Sequence, residues 1–558
     1  MYLRSRIPRL AHRYRRVVPV RAYSQALRHL PLKNNLQWKL AIGSIAVLVS
    51  GSYLLTPNEI RLDSPPTGTP VSSEELSKHT TLQSRIWVAI NGDVYDLTDF
   101  LSLHPGGAKI IMHYAGKNAS KIFNKYHAKD FFAKFLTPES YVGPLIDELD
   151  EEPDITESGD AEERKRMMEN KPPLSDMFNL SDFEYVAKQI LPPNAWAYYS
   201  SAADDEISLR ENHYAYHRIF FHPKVLVDVS EIDISTEFLG EKVDAPFYCS
   251  AAAQARLGNE DGELSIARGC GDENIIQMIS SQASFSFDEI TDAKPDGANQ
   301  WFQLYVLPDR EKAYDAIKAC EKKDIKGIFV TVDTALLGRR EKDLRHRVFS
   351  TGDGDDNEVT AFVAENDPIM AFKDPILTWK DIQKFKEATD IPIAIKGVQR
   401  LEDVLIAIDN GVSAVVLSNH GGRQLDFARS PVEILAEVMP VLRERGLDKK
   451  IEVYVDGGIS RGSDVIKALC LGAKGVGLGR AFLYANSAYG EDGVKKAIQL
   501  LKSEMYLDMK LLGVSKIEDL TPDLLDLRNL YARPHLNDYL YNQTYEPLQS
   551  PKFREPQD

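Results

Sequence analysis

Ser413-Ala414-Val415-Val416-Leu417-Ser418-Asn419-His420-Gly421-Gly422-Arg423-Gln424-Leu425-Asp426 joins a short apolar run to a turn rich in reactive groups. The run 413–417 reads as a buried strand. A His, two glycines and an Arg after such a strand make a poor recipe for packing. They suit a site: glycine lets backbone and ligand approach closely, His420 can move a proton near neutral pH, and Arg423 can grip a carboxylate with two parallel hydrogen bonds. Taken alone, the stretch fits a polar turn and a site equally well.

Similar runs recur on both sides, at 247–251, 276–280, 301–305, 327–333, 391–396, 414–418, 452–456 and 474–479, alternating with helical patterns. That alternation is the signature of βα units and a parallel sheet. Eight units over roughly 250 residues imply a TIM barrel, with its active site at the carboxyl ends of the strands; we expect it to occupy 178–530. Polar residues gather at those ends: Ser280; Gln303 and Tyr305; Thr331 and Asp333; Lys396; His420 and Arg423; Asp456; Gly479 and Arg480. Packing does not explain polar tips at one end only. The last two strands lead into Asp456-Gly457-Gly458 and Gly477-Leu478-Gly479-Arg480, where backbone N–H groups in such barrels often hold a phosphate.

Upstream, 70–146 forms a separate small unit. Ile86-Trp87-Val88-Ala89-Ile90, Asn91-Gly92 and Val94-Tyr95-Asp96-Leu97 read as a strand, a tight turn and a second strand. Helical segments follow, with His104-Pro105-Gly106-Gly107 and Tyr126-His127 at their edges, the two histidines 23 residues apart. Two neutral imidazoles on separate loops suit the two faces of a six-coordinate haem. On the residues alone a structural pair of histidines is equally consistent.

The chain has 558 residues, 43% hydrophobic and 27% charged, which indicates a globular protein of more than one domain. The net charge of −16 is unevenly spread: residues 1–58 hold ten Lys and Arg and no acid, while the rest carries 57 bases and 83 acids. The acidity of the main part argues against a nucleic-acid partner. The basic start, with Arg4, Arg6, Arg9, Arg13, Arg15, Arg16, Arg21 and Arg28, fits a mitochondrial transit peptide. The apolar run 40–55 is short for a membrane span. Together, over 1–60, they match the two-part signal of intermembrane-space proteins, with a retained inner-membrane anchor as the alternative. Residues 147–177 open with an acidic, aperiodic stretch that reads as a flexible hinge. The long acidic segment 341–374 reads as a loop over the barrel mouth, and 531–558 as a tail. Cys249, Cys270, Cys320 and Cys470 show no metal-like spacing and read as buried small apolar residues.

Residues 88–100 followed by His-Pro-Gly-Gly resemble cytochrome b5, which implies haem b held by His104 and His127. The stretches 418–426, 468–480 and 210–229 resemble the FMN-dependent 2-hydroxy-acid-oxidising family, which includes glycolate oxidase and mandelate dehydrogenase. Both together resemble the flavocytochrome branch of that family, L-lactate:cytochrome c oxidoreductases. The fold class so implied is multidomain, a small α+β haem domain followed by an α/β TIM barrel.

The resemblance also implies roles. His420 is the base, with Asp333 as its partner. Arg423 binds the substrate carboxylate, helped by Tyr198 and Tyr305, with Arg340 as an auxiliary cation. Lys396 sits at the flavin. Ser250, Ala251, Ala252, Ala253, Ser280, Gln303, Thr331, Asp456, Gly457, Gly458, Ser460, Gly479 and Arg480 hold FMN. The substrate is L-lactate or a close analogue, cytochrome c accepts the electrons, and the assembly is a homotetramer.

Four positions depart from the family pattern. Ser460 stands where an Arg on the FMN phosphate is usual, Ala335 where a Pro is, and Ala202 where a Gly is. Gln282 replaces a Leu that, with Ala253, lines the pocket for the substrate side chain, and would suit a polar tail. Other readings compete with the flavocytochrome: an oxygen-using 2-hydroxy-acid oxidase, which the fused haem module argues against, and a haem-binding carrier with a weakened barrel. A barrel of the IMP dehydrogenase kind would need a nucleophilic Cys in an active-site loop.

Overall fold

Residues 68–101, 104, 108–128, 130–132, 136–150, 152, 161–349 and 375–532 are described by the computed structural model of the chain. The expected presequence and apolar segment, residues 350–374 of the expected loop and the tail beyond 532 lie outside these. Among the described residues no helix is long and apolar enough to cross a membrane.

Eight strands close into a parallel barrel: β1 (Phe247–Cys249), β2 (Gln277–Ser280), β3 (Gln300–Leu304), β4 (Ile328–Thr331), β5 (Ile393–Val398), β6 (Ala414–Leu417), β7 (Glu452–Asp456) and β8 (Gly475–Leu478). Neighbours in space are neighbours in sequence, and β8 pairs back onto β1. β5 begins two residues later than the apolar pattern suggests. Pro392 has no N–H to give to a ladder, so the strand starts after it.

Alternation along the strands sorts the side chains. Tyr248, Met278, Trp301, Phe329, Ala394, Ala414, Val416 and Tyr454 belong to one buried cluster, which fills the barrel interior. Phe302, Ile328, Val330, Ile395, Val415, Leu417, Val453 and Val455 belong to another, packed under the outer helices. Two residues beyond the interior set, on the same face, come Ser250, Ser280, Gln303, Thr331, Lys396, Ser418 and Asp456. All are buried. The barrel is therefore apolar inside until its carboxyl end, where the last inward residue of seven strands is polar.

Three helices shape this end: α1 (Ile207–His217), α2 (Gly462–Leu471) and α3 (Arg480–Leu512). The first has no side-chain cap from its own N-cap residue. Asp426, from the stretch after β6, supplies one instead: its carboxylate accepts from Ile207 N at 3.3 Å and Ser208 N at 2.8 Å. A carboxylate there satisfies free N–H groups and suits the helix dipole.

The small unit has its own core, including Ile86, Val88, Ile90, Leu97, Phe100, Ile111, Tyr114, Ile122 and Phe123. Its four-stranded sheet contains the expected hairpin, in which Ile90 pairs with Asp93. Asn91 and Gly92 both have positive φ, 54° and 87°, the geometry favoured in two-residue hairpins. Two expectations need correction. Residues 161–169, read as part of a flexible hinge, form an α-helix with no buried residue; Glu162 and Glu163 in its first turn complement its dipole. Glu341–Phe349, read as loop, is also helical. The four cysteines are free and buried.

Candidate active site

The polar ends of the strands converge on a cavity of about 750 Å³. Ser280 Oγ donates to Gln303 Oε1 at 3.3 Å, and Gln303 Nε2 donates to Thr331 Oγ1 at 2.9 Å. Across the mouth, Lys396 Nζ lies 2.9 Å from Asp456 Oδ2 and donates to Ser418 Oγ at 3.1 Å. Burial opposes the charge on Lys396, but Asp456 and Asp333 outweigh it and hold its pKa above the ordinary lysine value. A fixed cation thus stands where several strands meet.

His420 lies 2.9 Å from Asp333 Oδ1 through Nδ1 and 3.3 Å from the Tyr305 hydroxyl through Nε2. Burial would raise the Asp333 pKa, but His420 and Lys396 keep it below the usual aspartate value. Burial dominates at His420, with Lys396 and Arg423 acting in the same direction, so its pKa falls despite Asp333. At neutral pH the pair is therefore a carboxylate and a neutral imidazole. The carboxylate accepts a hydrogen bond from Nδ1–H, which leaves the Nε2 lone pair free to receive a proton.

Arg423 Nη1 donates to the carbonyls of Tyr198 and Ser201 at 2.8 and 2.9 Å, and its guanidinium lies 5.1 Å from the Tyr198 ring centre. Arg340 covers the same ring at 5.7 Å. Burial and Arg340 push the Arg423 pKa down to about 9, which still leaves a cation at neutral pH.

Beyond β7 and β8, Gly457 and Gly458 have φ of 92° and 84°. A Cβ on Gly458 would come within 2.1 Å of the Asn212 carbonyl, whereas one on Gly479 would meet nothing within 4 Å. Arg480 donates to the carbonyls of Tyr199, Gly421 and Ser201.

Of the residues proposed from sequence, Tyr198, Ser250 to Ala253, Ser280, Gln303, Tyr305, Thr331, Arg340, Lys396, His420, Arg423, Asp456, Gly457, Gly458, Gly479 and Arg480 all line this cavity, as does Gln282. Asp333 lies behind His420. Ser460 does not face the cavity: its N–H and hydroxyl donate to Asp464 Oδ2 at 3.1 and 3.3 Å, serving the start of α2. One contributor was missed. Gln424 Nε2 donates to the Asp333 carbonyl at 2.9 Å and the Leu336 carbonyl at 2.7 Å, pinning the loop that carries Asp333. It belongs to the opening stretch, but its partners lie 91 and 88 residues away.

His104 and His127 border the same cavity. Their rings are 5.9 Å apart, centre to centre, and within 15° of parallel. Burial and His104 push the His127 pKa down to about 3, so it is neutral, as a metal ligand must be. Val88, Leu97, Phe100, Ile111, Ile122, Phe123 and Phe131 supply an apolar wall.

The sequence profile described as FMN-dependent dehydrogenase matches residues 187–527, and the cytochrome b5-like haem/steroid-binding domain matches 72–146. The chain belongs to the FMN-dependent dehydrogenase family. It is 54% identical to an L-lactate dehydrogenase (cytochrome) of Wickerhamomyces anomalus, over 94% of this chain and 91% of the relative. It is 48% identical to the protein of the same name from Saccharomyces cerevisiae, over 95% and 94%. Among solved structures, a mutant flavocytochrome b2 with pyruvate bound superposes with a TM-score of 0.64 at 53% identity, over 72% of this chain and all of that one.

As an FMN-dependent dehydrogenase with a cytochrome b5-like domain in front, the chain is an oxidoreductase that uses FMN and haem b. The residues present fit both groups. Ser250 Oγ and Asp456 Oδ1 are buried at the cavity without a hydrogen-bond partner, where a polar cofactor would supply one. The facing, near-parallel imidazole pair and apolar wall fit a porphyrin.

Proposed function

We propose that this chain oxidises L-lactate, or a close L-2-hydroxy acid, to the 2-oxo acid and passes the electrons through haem b to cytochrome c. The reading rests on one observation above all: a neutral imidazole backed by a carboxylate shares a cavity with a partly buried guanidinium and a buried ammonium. FMN, when bound, supplies the two-electron acceptor, and haem b a one-electron relay. The chain's own groups do the rest. Arg423, with Tyr198 and Tyr305 beside it, binds the substrate carboxylate and fixes C2 toward His420. His420 Nε2 takes a proton from the substrate, and Asp333 stabilises the imidazolium that results. Lys396 offers a fixed positive charge where negative charge develops. His104 and His127 are the residues that would hold the haem iron, and haem so held would supply one-electron transfer.

The names of the yeast relatives support lactate as substrate and a cytochrome as acceptor. The test is steady-state reduction of cytochrome c by the purified protein with L-lactate. Turnover that consumes oxygen and spares cytochrome c would favour an oxidase instead; haem without bound flavin would favour a carrier.

Gln282 bears on which acid is preferred. It lines the cavity with Ala253, and a side-chain amide there suits a substrate with a polar tail. Gln282→Leu is expected to raise kcat/KM for L-lactate relative to a polar-tailed 2-hydroxy acid by about tenfold, the value of one hydrogen bond. An unchanged ratio would remove Gln282 from specificity. We further propose the mitochondrial intermembrane space, from the basic start and the apolar run, and a homotetramer. N-terminal sequencing of the mature protein from fractionated mitochondria and light scattering test these.

A further inference from the structure

Asn212 on α1 and Asn419, directly before His420, have no part in the roles above. Their amides face each other and are doubly paired. Asn212 Nδ2 donates to Asn419 Oδ1 at 2.8 Å, and Asn419 Nδ2 donates to Asn212 Oδ1 at 2.7 Å. Both residues are 1% exposed. Asn419 uses its remaining capacity inside the loop: Oδ1 accepts from Gly422 N at 3.1 Å, and Nδ2 donates to the Arg429 carbonyl at 3.1 Å. The amide therefore braces both ends of the segment that carries His420.

That segment needs bracing. His420, Gly421 and Gly422 have φ of 57°, 64° and 79°. Glycine accepts such values freely, whereas a histidine holds one only when its surroundings impose it.

The same Asn212 also touches the other side of the site. A Cβ on Gly457 would come within 3.0 Å of its Nδ2, and one on Gly458 within 2.1 Å of its carbonyl. One residue of α1 thus bears on the loop after β6, which presents the imidazole, and on the loop after β7, which the family resemblance assigns to FMN.

We infer that the Asn212–Asn419 pair is a positioning device for the reaction: it holds His420 in its left-handed backbone against Asp333 and couples that posture to the glycine loop beside the cofactor. The inference rests on His420 being the base, as proposed above. Neither asparagine is a catalytic residue, since both act through their neighbours.

Asn212→Leu is the discriminating variant. It keeps roughly the volume and adds no charge, but offers Asn419 neither a donor nor an acceptor. The charged and titratable groups around His420 are Asp333 after β4, Lys396 on β5, Tyr305 after β3, Arg423 in its own loop and Arg480 at the start of α3. Of these only Asp333 favours the imidazolium. A displaced ring therefore loses support, and its pKa drops.

The readout is the pH dependence of His420 carbethoxylation by diethylpyrocarbonate in the holoprotein, followed by mass spectrometry. It requires no turnover, so it stands even if the protein oxidises no hydroxy acid. Anaerobic flavin reduction by L-lactate is measured beside it. The expected result has the midpoint of His420 modification shifted down by at least half a pH unit and flavin reduction slowed at least tenfold. FMN affinity and KM stay close to wild type, and the protein stays folded with a lowered thermal midpoint. Asn212→Ser, which removes the amide but leaves a hydroxyl able to bond Asn419, should show a smaller shift of the same sign. A wild-type midpoint and rate in both variants would overturn the inference. Loss of FMN or of the fold in both would also overturn it, by reducing the pair to a structural staple. Failure of the wild type to reduce its flavin would count against the proposed function, while the modification midpoints would still judge the pair.

Discussion

His420 draws its chemistry from what surrounds it. An ordinary histidine is half protonated near pH 6.5, but burial lowers this one. The base form is active, so activity is retained as pH falls through 6.5 and lost only below. We therefore expect the acid limb of kcat/KM to have its midpoint under pH 6.5; a midpoint above 7 would mean that Asp333 outweighs burial. Arg423→Lys keeps a positive charge but loses the planar fork. KM should rise roughly 10- to 100-fold, the value of about 1.5–3 kcal/mol for a charge-assisted bond; steady-state kinetics checks this. Much of this residue scale was legible in the sequence. His420, Arg423, Lys396 and Asp456 could be picked out because polar residues at the ends of apolar strands have no packing reason to be there. Asn212 could not. Its partner Asn419 is 207 residues away, and an asparagine within a helix carries no sign of what it faces. Ser460 was placed at FMN by resemblance alone, from the Arg usual at its position; here it donates to Asp464 instead.

The two glycine loops look alike in sequence and differ as structural elements. Gly458 has φ of 84° and a helix carbonyl 2.1 Å from where a Cβ would be; Gly479 has an ordinary φ of −104° and open space. Gly458→Ala should therefore displace α1 and lower the thermal midpoint by several degrees, consistent with about 1–3 kcal/mol of backbone strain. Gly479→Ala should fold as wild type but bind FMN more weakly if the cofactor approaches there. Thermal unfolding and flavin fluorescence separate the two effects. Strand order was readable because each apolar run is short, fully buried and followed by a helical pattern. The helix at 161–169 was missed because it buries nothing, so no apolar period marks it, and its stabilising charges look like disorder.

At the scale of the whole molecule, two separate cores carry two redox sites. One lies in the small unit around Phe100 and Phe123, the other in the barrel and its helices. Low pH should strain the barrel through a partly buried residue beside the site. Burial pushes His213 down to about 4, while in the unfolded chain it titrates near 6.5. Between those values only the unfolded state takes up the proton, so stability falls as pH falls. The loss from this residue in FMN-free protein is on the order of 3 kcal/mol by pH 4. Urea unfolding at pH 7 and pH 4.5 checks the sign, and Asn at position 213 should flatten the difference. Domain order was legible from the motifs themselves, and the two cofactors from the family resemblance that those motifs carry. That one cavity is bordered by both the imidazole pair and His420 was not, since it depends on residues of both cores. Electrons are expected to enter at the barrel and leave through the haem. Anaerobic stopped-flow mixing of the purified protein with L-lactate, followed at flavin and haem wavelengths together, tests it directly. Flavin bleaching should come first, with haem reduction after it in the same molecules. A fully FMN-loaded protein whose flavin stays oxidised, or whose haem stays oxidised after the flavin bleaches, would contradict it.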